Sequence, residues 1–146
     1  MKNIIIIRLE NTMFNTSHIS RHLQKAKDRN GYLNTSFPKC KMNGDMVEVI
    51  DFISMARALG KDIQVRIVTR FRREVVWRLL RNNSLTWCQV CDSIETAAKG
   101  EDKSGMVLFS TDESDRLYAM QNEIALAEET SVRAMGVRKT PLWRAA

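Results

Sequence analysis

The sequence predicts an α+β chain: an open-faced β-sandwich in the order β-α-β-β-α-β-α, extended by a further α-β-α segment. Three observations carry that expectation. A run of β-branched residues, Ile4–Ile7, opens the chain, and a second strand signal alternates through Ile63, Val65 and Ile67. Between and after these lie stretches whose apolar residues recur at helical spacing. At 146 residues with 44% hydrophobic and 27% charged side chains, the chain is ordinary globular material, which excludes disordered and collagen-like classes.

Taken in order, residues 2–9 read as a strand buried on both faces, because the apolar run is continuous rather than alternating. Asn11 to Asn15 follow as a loop. Thr16 or Ser17 then caps a helix with Ile19, Leu23 and Ala26 on one stripe, closed by Asn30-Gly31. Residues 32–37 and 39–49 read as a strand pair, with Asn43-Gly44 as the turn signal. Helical spacing returns over 51–59 through Phe52, Ile53, Met55, Ala56 and Leu59, and Gly60 stops it. The strand over 62–69 is followed by a helix from about Arg72 to Arg81 built on Val75, Val76, Leu79 and Leu80.

Residues 84–146 form the extension. Ser84 caps a helix carrying Trp87, Val90, Cys91, Ile94, Ala97 and Ala98, and a polar loop over 99–105 leads into a short strand, Met106–Phe109. Ser110 and Glu113 have capping-box spacing before a last helix through Leu117, Met120, Ile124 and Ala127. Asp112, Glu113 and Asp115 suit the positive end of that helix.

Charge is uneven. The net +6 divides into +9 over residues 1–83 and −3 over 84–146. The opening apolar run is too short for a leader core or a membrane span, and three cysteines are an odd number. A cytoplasmic protein with no membrane contact is the expectation.

The order of elements and the local wording of residues 1 to about 83 resemble HPr, the histidine-containing phosphocarrier family of the bacterial sugar phosphotransferase system. Three pieces carry the resemblance: Asn15-Thr16-Ser17-His18 leading to Leu23-Gln24-Lys25-Ala26-Lys27, Val47 to Ala56, and Gly60 to Ile67. The resemblance implies an HPr-like domain over 1–83 and an extension over 84–146 packed on it. It also implies a docking surface around Asn15, Ser17, Asp51, Phe52, Ile53 and Met55 for a protein partner that recognises an HPr-like surface. The family's phosphorylated histidine is followed by Thr, Arg and Pro. Here Asn15 stands at that position, Thr16 matches, Ser17 replaces the arginine and His18 the proline. An amide nitrogen whose lone pair is delocalised is no nucleophile, so phosphocarrier chemistry at Asn15 is lost. The regulatory serine position falls on Asp51 or on Ile50. An aspartate there imitates part of a phosphoserine's charge, or simply caps the helix that follows.

Other constellations have a chemical and a plain reading. His18 is a displaced phosphoacceptor or a solvated first-turn histidine, and the second is favoured because the supporting arginine is missing. His18 and His22 with Cys88 and Cys91 hold the donor types of a zinc site, but at a spacing unlike any compact zinc module. Trp87-Cys88-Gln89-Val90-Cys91 superficially matches a thioredoxin-type motif, yet no apolar strand precedes it, which favours a partly buried thiol pair. Arg66, Arg70, Arg72, Arg73, Arg78 and Arg81 form a basic face with no lysine among them in 62–81. They suit nucleic-acid phosphates, an acidic protein surface, or this chain's own acidic helix at 112–129. The sequence thus predicts a non-catalytic, HPr-like interaction protein without cofactor or metal. Its alternatives are a basic nucleic-acid-binding protein using the Arg66–Arg81 face and a carrier working through His18.

Overall fold

A computed structural model describes residues 3–16 and 40–127. Its elements are β1 (Asn3–Arg8), α1 (Gly44–Ala58), β2 (Ile63–Val68), α2 (Arg73–Asn82), β3 (Gln89–Cys91), α3 (Ile94–Ala98), β4 (Met106–Phe109), α4 (Glu113–Gln121) and β5 (Ala125–Ala127). The five strands form one sheet in the order β3-β2-β1-β4-β5, and every pair is parallel. Mixed α and β structure is as the sequence predicts. The open-faced antiparallel sandwich is not: each described strand returns through a crossover rather than a hairpin. Strands from both sides of residue 83 share this sheet.

Burial explains the sheet. All six residues of β1 and all four of β4 are buried, the pattern of parallel strands covered on both faces. On one face Ile5, Ile7, Val65, Ile67, Val107 and Phe109 pack with Val49, Ile50 and Ile53 of α1 and Val76 and Leu79 of α2. On the other, Ile4, Ile6, Met106 and Leu108 pack with Ile94 and Ala97 of α3 and Ala119 of α4. The core therefore has two apolar layers separated by the sheet.

The structure departs from several sequence expectations. The strand expected over 39–49 is helical from Gly44 onward, and Asn43 is the helix N-cap residue rather than a hairpin turn. The β-branched residues Val47, Val49 and Ile50 suggest a strand, but Met46, Val49, Ile50, Ile53 and Ala56 make one buried helical stripe, and that stripe wins. The helix expected from Ser84 is instead a turn, then β3, then the five-residue α3 capped by Ser93. The final helix stops at Gln121, and Ala125–Ala127 pair with β4 as the outermost strand among the described residues. Its cap is Asp112, not Ser110: the Asp112 carboxylate accepts from the N–H groups of Ser114 and Asp115. The strands at the start of the chain, over 62–69 and over 106–109, and the helix of Val75 to Leu80, are where the sequence places them. The helix expected near residues 16–30, the strand over 32–37, Ser17, His18 and His22 lie outside the described residues. No helix among the described residues is long and apolar enough to cross a membrane.

Candidate functional site

Winding reverses between β1 and β4. Among the described residues, the helix that follows β1, α1, lies on one face, and the helix that follows β4, α4, lies on the other. The two loops diverge at the carboxyl edge, where open α/β sheets hold ligands. In this chain the crevice is filled by ion pairs. Arg8, 4% exposed, ends β1 and donates from Nε and Nη2 to Asp115 Oδ2 and Oδ1, both at 2.6 Å. Ser110 Oγ donates to the same Oδ2 at 2.8 Å. Burial opposes the Arg8 charge, but the hydrogen bond and charge of Asp115, with Glu10 and Asp112 nearby, raise its pKa above the usual value. Arg8 Nη1 stands 3.5 Å from Glu10 Oε2, and neither Arg8 Nη1 nor Glu10 Oε1 has a hydrogen-bond partner among the described residues.

A second, more exposed set lies over the first. Glu10 Oε2 accepts from the Arg70 N–H at 2.8 Å, and Arg70 Nη2 is 3.1 Å from Asp112 Oδ2. Thr12 Oγ1 accepts from the Thr111 N–H at 2.9 Å, and Asn43 Nδ2 donates to the carbonyls of Asn11 and Thr12. Asn11 takes φ 61°, a left-handed position that asparagine tolerates and that turns the chain back beneath these contacts. Partial burial works against the Asp112 charge, yet hydrogen bonds from Ser114, Asp115 and Arg70 bring its pKa down to about 2. Arg8, Glu10 and Asp115 do not feature among the sequence candidates. The signal available is an arginine closing an apolar strand, since a buried guanidinium requires a carboxylate partner.

The basic face divides. Arg66 is 8% exposed, beneath α3: Nη1 donates to the Ala97 carbonyl at 2.6 Å and Nη2 reaches Gln64 and Glu101. It therefore cannot meet an external partner, because the strand face opposite Val65 is covered by a helix rather than solvent. Arg72, Arg73, Arg78 and Arg81 are exposed along α2, and Arg70 is exposed but engaged with the acidic edge. Part of the internal pairing expected with the helix at 112–129 is thus present at Asp112. The described residues hold 13 basic and 14 acidic side chains, so the chain's positive excess belongs to residues 1–2, 17–39 and 128–146.

Beside α2 runs an open groove of about 480 Å³, lined by Arg73, Trp77, Thr86, Trp87 and the stretch from Cys88 to Cys91. It follows the outer edge of β3, which pairs only with β2 among the described strands. Trp77 and Trp87 are half-buried and supply indole surface. The Arg57 guanidinium lies 4.7 Å from the centre of the Trp87 ring, a cation–π contact that fixes the indole. Arg73 Nη2 leans on the Val90 carbonyl at 3.4 Å.

The cysteines separate. Cys88 packs in the layer with α1 and α2, whereas Cys91 packs against the layer with α3 and α4. Both are free thiols, Cys88 buried and Cys91 partly buried, and they lie against different layers of the core. Burial pushes the Cys88 thiol up to about 12, with Arg57 opposing, and also raises Cys91. No group of three or more His, Cys, Asp or Glu side chains among the described residues is placed to hold a metal ion.

The docking surface implied by the family resemblance is only partly assembled. Ile53 is fully buried in the core, because it sits on the inner stripe of α1. Phe52 is half-buried against the same core, while Asp51 and Met55 are exposed on the outer side of α1. Asn15 is exposed and Thr16 is buried at the carboxyl edge, with the Asn15 N–H donating to the Lys41 carbonyl at 3.0 Å. Compared with protein-family models, curated proteins and solved structures, the chain matches none.

Proposed function

We propose that the chain is a non-catalytic protein that binds single-stranded nucleic acid along the groove between α2 and β3. The observation that carries this reading is the meeting of two indoles, Trp77 and Trp87, with the Arg73 guanidinium in one open groove. Bases stack on aromatic faces without regard to sequence, and guanidinium groups take the phosphates between them. Arg78 and Arg81 extend the positive charge along the exposed side of α2, against a single acidic residue, Glu74, in that helix. The engaged carboxylates support the non-catalytic part: Asp115 gives its oxygens to Arg8 and Ser110, and Glu10 accepts from the Arg70 backbone.

The test is fluorescence anisotropy with a labelled oligonucleotide of about ten nucleotides, within the usual span of such sites. Binding should weaken with salt at a slope of about −2 if Arg73, Arg78 and Arg81 each meet one phosphate. Tryptophan emission should quench on binding. The double variant Arg78→Glu/Arg81→Glu changes only exposed positions and should abolish binding while leaving the circular dichroism unchanged. Salt-independent binding, or full affinity in that variant, overturns the reading.

A second reading, recognition of a protein partner, rests on the outer side of α1, where Val47, Met55 and Leu59 are exposed together with Asp51. Isolation of a stable complex that Met55→Glu disrupts and Arg78→Glu does not would favour it.

A further inference from the structure

Two arginines at the carboxyl edge are held very differently. Arg8 is buried and locked to Asp115 by two bonds of 2.6 Å. Arg70 has a side chain 59% exposed and is suspended between carboxylates from two other loops, 3.1 Å from Asp112 Oδ2 and 4.0 Å from Glu10 Oε2. Exposed pairs of this kind bias a side chain by no more than about fivefold in population. Arg70 also sits at the turn that leads into Arg72, Arg73 and the groove, because β2 ends at Val68 and α2 begins at Arg73.

We propose that Arg70 is a phosphate ligand held in reserve, and that Glu10 and Asp112 are resting partners which an incoming backbone phosphate displaces. This rests on the nucleic-acid reading above and assigns a latch to its edge. The exchange swaps a carboxylate for a phosphate on the same planar fork, which matches both. Neither carboxylate is stranded by the exchange. Asp112 Oδ1 continues to accept from the N–H groups of Ser114 and Asp115, and Glu10 Oε2 continues to accept from the Arg70 N–H. The loops therefore keep their backbone anchors while the guanidinium turns outward. In this arrangement the two acids compete with the ligand, so removing their charge strengthens binding.

The experiment is a double-mutant cycle read by anisotropy with the same labelled oligonucleotide. Asp112→Asn removes the charge and keeps a good helix cap. With Arg70 present it should tighten binding by about two- to threefold, the population bias of an exposed pair. In the Arg70→Ala background it should change nothing, and Arg70→Ala alone should reduce the salt slope from about −2.8, for four arginines on phosphates, to the value of about −2 for Arg73, Arg78 and Arg81. Glu10→Gln, which keeps an acceptor for the Arg70 N–H, should act like Asp112→Asn. An equal gain in both backgrounds, or no gain with Arg70 present, overturns the latch, as does a salt slope that Arg70→Ala leaves untouched. Absence of any oligonucleotide binding by the wild-type chain overturns the nucleic-acid reading itself, and the latch with it.

Discussion

Removing the Asp115 carboxylate tests whether the carboxyl edge is held by the Arg8 pair. Asp115 is 2% exposed and accepts three hydrogen bonds, two from Arg8 and one from Ser110. In Asp115→Ala the Arg8 guanidinium keeps its charge, stays inside the sheet edge, and loses both short bonds, leaving only Glu10 Oε2, 3.5 Å from Nη1 and outside hydrogen-bonding geometry, as a counter-charge. Stranding one member of a buried pair costs about 3–5 kcal/mol. That is a large fraction of the roughly 5–15 kcal/mol that holds a domain of this size. Replacing both members together, Arg8→Met with Asp115→Leu, removes the stranded charge and should recover most of the loss, to within about 1–2 kcal/mol of wild type. Urea denaturation followed by circular dichroism measures all three chains, with equal m-values required for the comparison. A cost below about 1 kcal/mol for Asp115→Ala would refute the reasoning, because it would mean that water already serves the guanidinium. A double variant no better than Asp115→Ala would refute it as well, since the charge would then not be the cause.

Ile53→Ala should destabilise by about 2–5 kcal/mol, whereas Met55→Ala, at an exposed position of the same helix, should stay within about 0.5 kcal/mol; reversed values would mean that α1 presents the other side to the core. Under native conditions a thiol reagent should label Cys91 well before Cys88, whose buried thiol is pushed up to about 12; simultaneous labelling would contradict the separation of the two thiols. The Asp112 carboxyl drops from 3.8 to about 2 on folding, so its contribution is complete above about pH 4 and fades as pH falls toward 2. With its partial exposure that contribution is at most about 2 kcal/mol. Acid titration of Asp112→Asn should therefore show a shallower stability loss over that interval than wild type, and an identical curve would dismiss the assignment.

The strands β1 and β4 are legible in the sequence because their apolar runs are continuous, and β2 is legible from its alternation of Ile63, Val65 and Ile67. Strand direction is not legible in the same way. A parallel sheet needs crossovers, and the crossover helix α1 is obscured by Val47, Val49 and Ile50, whose β-branched side chains mimic a strand within a helical stripe. Reading 39–49 as a strand manufactures a hairpin, and a hairpin makes the sheet antiparallel. The short edge strands hide for a related reason: three residues are too few for a period to show, so β3 and β5 are absorbed into neighbouring helical patterns. At the site, the arginine run over 70–81 is visible as composition, but which arginines face solvent depends on α3 covering Arg66, a contact 31 residues away. The Arg8–Asp115 pair spans 107 residues and leaves no local trace beyond one charged residue at the end of an apolar run.

The brevity of the outermost strands has a consequence for the chain in concentrated solution. The Thr69 N–H donates to the Cys91 carbonyl, so in β3 the preceding carbonyl, that of Val90, faces away from the sheet, where Arg73 leans over it. A neighbouring molecule seeking to prolong the sheet meets one guarded carbonyl rather than a row of open ones. At the far side of the sheet, among the described residues, β5 also has only three. Open parallel sheets are templates for uncontrolled strand addition, and short or cation-guarded edges are the usual defence. Among the described residues, the aromatic groove can therefore lie open beside the β3 edge without that edge becoming a seed for fibrils.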